Sequence, residues 1–474
     1  MIRAARWPGL LLVLAMTAGC TLGPDHEPPQ MALPAEWSGS IATSATAVQQ
    51  GAWWQRFGDS ELDGLIAEAL QANPDVAKAR ATLRAARAGL AQEQAGLWPG
   101  VDASASVTRQ HGSSGGGTEA AGSGGGAGTS TAWKADFDAS FELDVFGGQR
   151  RAIESSRASA EASEADLDST VLSLIGDVAD AYVQARGYQA RLAVAQKTLA
   201  TRRDTAALTR DRARAGLATE LDAVQAYAEV ADAEAAIPPL EQSYRQQVHS
   251  LGILTGAPPG DLLGLMQRPE AIPSLAGQVV ADAPATLLAR RPDIRAAERR
   301  LAAATAAIGA AEADRYPAIS FAGMVGINAS SLRDLGEVSS RVWSIAPEVS
   351  LPVFDAGWRA AVVDQRVAER DEAVAAWRST VLTALKEVED ALTGLDRERA
   401  HNDLLRRSVA AYADAARLAR TQYTAGLSDF LDVLDSERSL ADAQDTLTQS
   451  DATLAIQAIA LFKALGGGWE VASS

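Results

Sequence analysis

The sequence predicts long coiled-coil α-helices continuous with a transmembrane β-barrel, an α+β membrane fold that one chain cannot complete alone. Three observations carry this expectation. The chain is internally duplicated, each copy holds a pair of alternating strands, and each copy holds a long proline-free heptad seam. Composition agrees: of 474 residues 47% are hydrophobic but only 5% aromatic, which fits closely packed alanine-rich helices better than a bulky globular core. A formal charge of -17 argues against nucleic acid or an anionic membrane surface as the main partner, because both need a basic patch to release counterions.

The chain opens with Arg3 and Arg6, an apolar run over residues 10–16, and then Thr17, Ala18, Gly19 and Cys20. That run is too short to span a bilayer and reads as a cleavable export signal over residues 1–19. Cys20 is the only cysteine, so it has no disulfide partner within the chain. Small residues directly before it resemble a bacterial lipobox, which makes Cys20 the expected lipidation site and residues 20–58 a lipid-anchored N-terminal segment. Thr21, in place of an aspartate after the cysteine, resembles lipoproteins sent to the outer membrane.

Landmarks then recur at nearly constant separation. Pro74 and Pro99 are matched by Pro292 and Pro317, Phe146 and Arg151 by Phe354 and Arg359, and Gly216 and Gly256 by Gly426 and Gly466. Both first glycines sit in Ala-Gly-Leu turns, followed by Asp222 and Asp432. The expected repeats are residues 59–256 and 284–466, each ordered half-length helix, strand, strand, long helix, turn, half-length helix. A proline-rich linker over 257–283 joins them, and 467–474 is a tail. The Gly/Ser-rich stretch 111–131 cannot pack and is expected as an exposed loop.

In the strands Trp133, Ala135, Phe137, Ala139, Phe141, Leu143 and Val145 alternate with Lys134, Asp136, Asp138, Ser140, Glu142 and Asp144. Val101, Ala103, Ala105 and Val107 alternate likewise with polar residues. Ile319, Phe321, Val325 and Ile327 mark a third strand and Trp343, Ile345, Val349 and Leu351 a fourth, with Pro347 confined to a place where no ladder bond is needed or to a bulge. This is the alternation of membrane barrel strands, although half-buried soluble strands share it. Four strands cannot close a barrel, and an open edge in lipid is forbidden, so subunits must share one. Three copies supply twelve strands; two or four remain possible on arithmetic alone.

Residues 148–215 contain no proline, and Leu167, Val171, Leu174, Val178, Ala181, Ala185, Tyr188, Leu192, Ala195 and Leu199 form a seam. The second copy repeats it from Val374 through Trp377, Val381, Ala384, Val388, Ala391 and Leu395, loses it at Glu398 and Asn402, and resumes at Leu405, Val409 and Tyr412. At 1.5 Å per residue each helix is about 100 Å long, more than a compact domain needs.

Several motifs together resemble the TolC-like outer-membrane efflux proteins, specifically their OprM/NodT-type lipoprotein branch. They are Trp53-Trp54 with Phe57-Gly58-Asp59, Arg290-Arg291-Pro292-Asp293 with Ala297-Glu298-Arg299, Ile308-Gly309 before Tyr316-Pro317, and Pro352-Val353-Phe354-Asp355 leading to Gly357 and Arg359. The resemblance implies a homotrimer with a twelve-stranded barrel in outer-membrane lipid and a twelve-helix periplasmic tunnel. It also implies docking to a periplasmic membrane-fusion adaptor and an inner-membrane RND transporter. Gly216 and Gly426 are explained by the left-handed turn a helix reversal needs. In the family the matching turns meet the adaptor, here Ala215, Gly216, Leu217 and Thr219, and Ala425, Gly426, Leu427 and Ser428. Ser428 stands where the family's prototype has a basic latch residue, so that link is not carried over.

Asp432 and Asp435 share a helical face, and a three-fold axis would gather six carboxylates into a ring that attracts cations. A solvated acidic helix face is the ordinary reading of such a pair. The resemblance implies instead that they constrict the periplasmic entrance and that Leu431, Asp435 and Arg438 hold it shut. No catalytic constellation, metal spacing or phosphate loop emerges, so neither enzyme activity nor a cofactor is expected. The rival functions are a type I secretion exit duct and, from another class, a pore-less periplasmic scaffold or adaptor, which would have no lipid-facing strand face.

Overall fold

A computed structural model of the chain describes residues 21–34, 36–38, 51–112, 128–275 and 290–469. The expected signal peptide, Cys20, most of the Gly/Ser-rich stretch, the end of the linker and the end of the tail lie outside the described residues. A short 3-10 turn over Trp53–Phe57 leads into α1 (Ser60–Ala72) and α2 (Pro74–Ala95), followed by β1 (Gly100–Gly112), β2 (Gly128–Leu143) and α3 (Gly148–Arg214). Next come α4 (Glu220–Ala235), α5 (Ile237–Thr255), α6 (Pro292–Ala313), β3 (Ala318–Ala329), β4 (Arg341–Ser350), α7 (Trp358–Thr424) and α8 (Phe430–Ala464). Helices α3 and α7 both have 67 residues. Contacts divide the chain into two compact units. The first holds residues up to Pro29, Arg84–Glu161 and Glu298–Ala375; the second holds Gln30–Leu83, Ala162–Ala297 and the chain from Ala376 onward.

The first unit is built on one antiparallel sheet of order β1-β2-β3-β4. Register places like faces opposite one another: Ala103 faces Phe137, Phe137 faces Val325, and Val325 faces Trp343. The odd positions at 101–107, 133–143, 319–327 and 343–349 therefore share one apolar face, on which Phe137 is 59%, Trp343 75% and Ile345 72% exposed. The even positions make the other face, where Asp102 lies opposite Asp138 and Glu142 and Glu348 flank Ser320. Oil outside and acid inside is the pattern of a barrel wall in lipid.

One detail differs from the sequence reading. Residues 111, 112 and 128–131, expected as loop, extend β1 and β2 as paired strand, because cross-strand hydrogen bonding outweighs their low strand propensity. Pro347 stands opposite Phe321 on β4, which pairs with β3 alone and so is an edge strand within one chain, the setting in which a strand proline is tolerated. Gly326 is required where it stands, because a Cβ there would lie 2.5 Å from the Ala135 carbonyl and from the Cβ of Asp136. The outer edges of β1 and β4 have no strand partner among the described residues.

The second unit is helical. Asp59 caps α1 by accepting from the amides of Glu61 and Leu62 at 3.0 and 3.1 Å. Asn73 separates α1 from α2 ahead of Pro74, its side-chain oxygen accepting from Asp75 and Val76 while its amide donates to the Leu254 carbonyl. The expected half-length helix of the first copy is thus two shorter helices. The same holds after the first tip, where Pro238 and Pro239 begin α5 directly after α4 ends. Trp53, stacked 5.1 Å from Phe462, closes the core between the two copies' helices and donates to the Gly467 carbonyl.

The seam residues Val171, Leu174, Val178, Ala181, Ala185 and Leu199 are buried, as are Trp377, Val381, Ala384, Val388, Ala391 and Leu395. Val374 and Tyr412 are exposed. At Glu398 and Asn402 the seam continues in polar form: Asn402 is buried and donates to Ser450 at 3.1 Å and Asp451 at 2.8 Å, and Ser450 donates to Glu398. Hydrophobic periodicity could not show this, because the partners are 48 residues or more away in sequence.

The most buried charge in this unit is Arg186, with 0% exposure. Its guanidinium bonds Glu61 at 2.8 Å, the Arg268 carbonyl at 2.7 Å, Gln189 at 2.7 Å and the Tyr182 hydroxyl at 3.1 Å; that hydroxyl donates to Asp59 at 2.8 Å. Burial raises the Tyr182 pKa and, as the largest cause, that of Glu61 as well. The network therefore ties α1 and the segment after α5 onto α3, and each of the three guanidinium nitrogens has an acceptor, which offsets the burial of the charge.

Candidate functional site

Both helix reversals have the same backbone chemistry. At the first, Gly216 takes a φ of 71°, its amide bonds the Ala213 carbonyl at 3.0 Å, and the Leu217 amide bonds Arg212 at 2.8 Å. At the second, Gly426 takes a φ of 74°, its amide bonds Tyr423 at 3.0 Å, and the Leu427 amide bonds Gln422 at 2.8 Å. These pairs are the two hydrogen bonds of a Schellman reversal, and only glycine enters that region without strain. Such a turn ejects the next residue, so Leu217 is 67% exposed and Leu427 79%. Ala215, Thr219 and Ala425 are exposed too, whereas Ser428 is half-buried. Thr219 and Asp222 form a reciprocal capping box at the start of α4. Asp429, at the start of α8, makes no such bond.

The tips are joined to each other. Arg212 of the first lies over the Tyr423 ring of the second, 4.6 Å from its centroid, and donates to the Thr424 carbonyl at 3.2 Å. Beneath them Ala226, Tyr423, Phe430 and Val433 form a small apolar core. Val433 is buried, and Phe430 with it. That anchors one face of the first turns of α8 and leaves Leu431, Asp432 and Asp435 exposed on the other.

Arg438 does not join them. It is turned toward α4, where it pairs with Glu229, and Arg202 of α3 pairs with the same carboxylate. Glu229 is almost fully buried and Arg438 half-exposed. Next to this cluster Thr205 donates to Glu437 at 3.0 Å. Burial, the largest cause, raises the Glu437 pKa; burial, followed by the charge of Arg438, lowers that of Arg202. Further up, Arg191 makes a two-pronged bond to Asp445 at 2.8 and 2.9 Å. Helix α8 thus presents carboxylates on one side and is held to α3 and α4 by charged groups on the other. Sequence reasoning missed Glu229, Arg202 and Glu437, and no local pattern marks them, because Arg438 and Glu229 are 209 residues apart.

Among the described residues no group of histidine, cysteine or carboxylate side chains has metal-binding geometry, and no helix is long and apolar enough to cross a membrane.

Comparison with known proteins gives a consistent answer. Residues 65–257 and 283–467 match the outer membrane efflux protein family. Nodulation protein T of Rhizobium leguminosarum bv. viciae is 35% identical over 455 residues, covering 96% of this chain and 92% of that protein. Outer membrane protein OprJ of Pseudomonas aeruginosa is 33% identical, covering 97% of this chain and 95% of its own. Among solved structures the outer-membrane channel OprN has a TM-score of 0.86 and 35% identity, covering 95% of this chain and 100% of its own. The fold class expected from the sequence stands: long helices continuous with four strands of a barrel that three copies complete. This chain belongs to the outer membrane efflux protein family, and it is an outer-membrane channel component of an efflux system.

Proposed function

We propose that the chain is the passive exit duct of a tripartite RND-type efflux system, gated at its periplasmic entrance by Leu431, Asp432, Asp435 and Arg438. The observation that carries this is the division of labour on α8. Its exposed face holds two carboxylates in one turn, while its opposite face is pinned by Val433, Phe430 and the Arg202–Glu229–Arg438 cluster. Around a three-fold axis those carboxylates make a ring of six, which favours cations and narrows a passage. Arg438 acts behind the ring, holding the gate helix to α4.

The two exposed tips, with Leu217 and Leu427 foremost, supply docking knobs for a periplasmic membrane-fusion adaptor, and the inner-membrane transporter supplies the energy. The internal duplication supports the way copies meet. Within a chain α8 of the second copy lies on α3 of the first. The matching pairing between chains sets α4 of one copy on α7 of the next. Both surfaces needed for it are apolar and exposed: Leu221, Val224 and Tyr227 on α4, and Leu404, Tyr412 and Leu418 on α7. The chain, as a channel, needs no catalytic group. Lipidation at Cys20 accounts for its lone cysteine.

The purified protein reconstituted in a planar bilayer is expected to give discrete conductance steps with cations preferred over anions. A bilayer that stays silent, or steps that prefer anions, would remove the duct reading.

A further inference from the structure

The first unit contains one buried arginine that the channel reading does not use. Arg151, near the start of α3, is 4% exposed. Its Nε donates to the Leu22 carbonyl at 2.9 Å, one terminal nitrogen donates to the Gly23 carbonyl at 3.2 Å and to Asp25 at 2.7 Å, and the other donates to Glu154 at 2.7 Å. The Leu22 amide in turn donates to the Phe146 carbonyl at 3.3 Å. Beyond these contacts His26 sits 2.9 Å from Glu298 of α6, which Arg299 also engages.

Glycines make this approach possible. A Cβ on Gly23 would fall 2.3 Å from the Cα of Gly309, and one on Gly309 would fall 2.5 Å from the Leu22 carbonyl oxygen. Gly147 leaves room for Thr21 in the same way, its own Cβ position lying 2.9 Å from the Thr21 Cα. Gly23 and Gly147 also take positive φ, of 84° and 80°. Two glycines and one buried guanidinium thus converge on a six-residue stretch that carries Gly23 and has no helix or strand of its own.

We propose that Arg151, with Gly147 and Gly309, forms a socket that pins residues 21–26 where β2 ends and α3 begins, and so fixes where the N-terminal attachment meets the membrane. Exposed Trp98, Phe354 and Trp358 belong to the same unit, at the strand ends nearest the helices, and aromatic side chains of this kind favour the bilayer interface. A lipid on Cys20 enters the membrane at that level; this last step rests on the lipidation reading, and the socket does not. The carbonyl bonds carry the grip more than the Asp25 pair does, because Asp25 is 89% exposed and its pairing is screened by water. The forked geometry matters as well, since a lysine ammonium cannot reproduce the planar donors.

The test places nitroxide labels at Glu27→Cys, directly after the pinned stretch, and at Arg157→Cys on α3, in a Cys20→Ser chain exported behind a cleavable non-lipoprotein signal. The distance distribution is measured on the assembled protein, diluted with unlabelled copies. The parent gives one narrow distance. Arg151→Ala, Arg151→Lys and Gly23→Ala each widen it by about twofold or more, while Asp25→Asn leaves it narrow. Equal widths in the parent, Arg151→Ala and Gly23→Ala overturn the socket. Should Arg151→Ala fail to assemble, Gly23→Ala decides alone, because Gly23 lies outside every helix and strand. Palmitate labelling of the wild-type chain and of Cys20→Ser is scored separately, so absence of lipid and absence of the socket give different results.

Discussion

Replacing Asp432 and Asp435 together with alanine is expected to raise single-channel conductance by about three- to tenfold and to lower the preference for cations. Both carboxylates stand on the exposed face of α8, one turn apart, with no packing role of their own, whereas the helix is anchored through Phe430 and Val433 on its other side. Removing the two side chains therefore widens the passage without loosening the helix. In the proposed ring of a trimer it also removes six charges that would concentrate cations. Conductance and reversal potential are read in the same bilayer recording. Unchanged conductance would return these residues to an ordinary solvated acidic face.

Glu229→Ala is expected to destabilise the tip region by about 3–5 kcal/mol and to raise the fraction of time the channel spends open. Glu229 is the shared acceptor of Arg202 and Arg438 and is nearly buried. Without it two cations face each other across α3 and α8, with Arg202 only 14% exposed at its side chain and unable to reach water freely. Arg438, half-exposed, swings out instead, and α8 loses its tie to α4. The destabilisation is measured by hydrogen exchange over residues 219–235 and 430–440, and the gating by open probability. A variant with faster exchange and wild-type gating would show that the cluster serves folding alone. The Asp432/Asp435 and Glu229 variants thus separate the proposed ring from the tie behind it.

The features legible in the sequence were the periodic and the repeated ones. Alternation from Trp133 to Leu143 gave a strand whose odd residues share a face with Val325 and Trp343, because side-chain period is a property of one segment. The glycines of both tips were legible because a left-handed reversal excludes other residues. Long-range polar pairing was not legible. Arg186 finds Glu61 from 125 residues away, Arg151 finds Leu22 from 129, and Asn402, which reads as a break in the seam, is buried against Ser450 and Asp451. Each of these residue types is common on solvated helix faces, so only the fold distinguishes the buried ones. The residues of the proposed gate were divided in the same way. Leu431, Asp432 and Asp435 share the exposed face that spacing implies, whereas Arg438 points behind it to a partner no spacing rule could name.

One copy presents an incomplete wall: an apolar sheet face whose edges on β1 and β4 have no strand partner among the described residues, and which further copies close. Native mass spectrometry of the detergent-solubilised protein counts those copies directly. Three chains per particle, lost only together with the folded strands, is the predicted result. A stable single chain that needs no detergent, with its four strands intact, would contradict it.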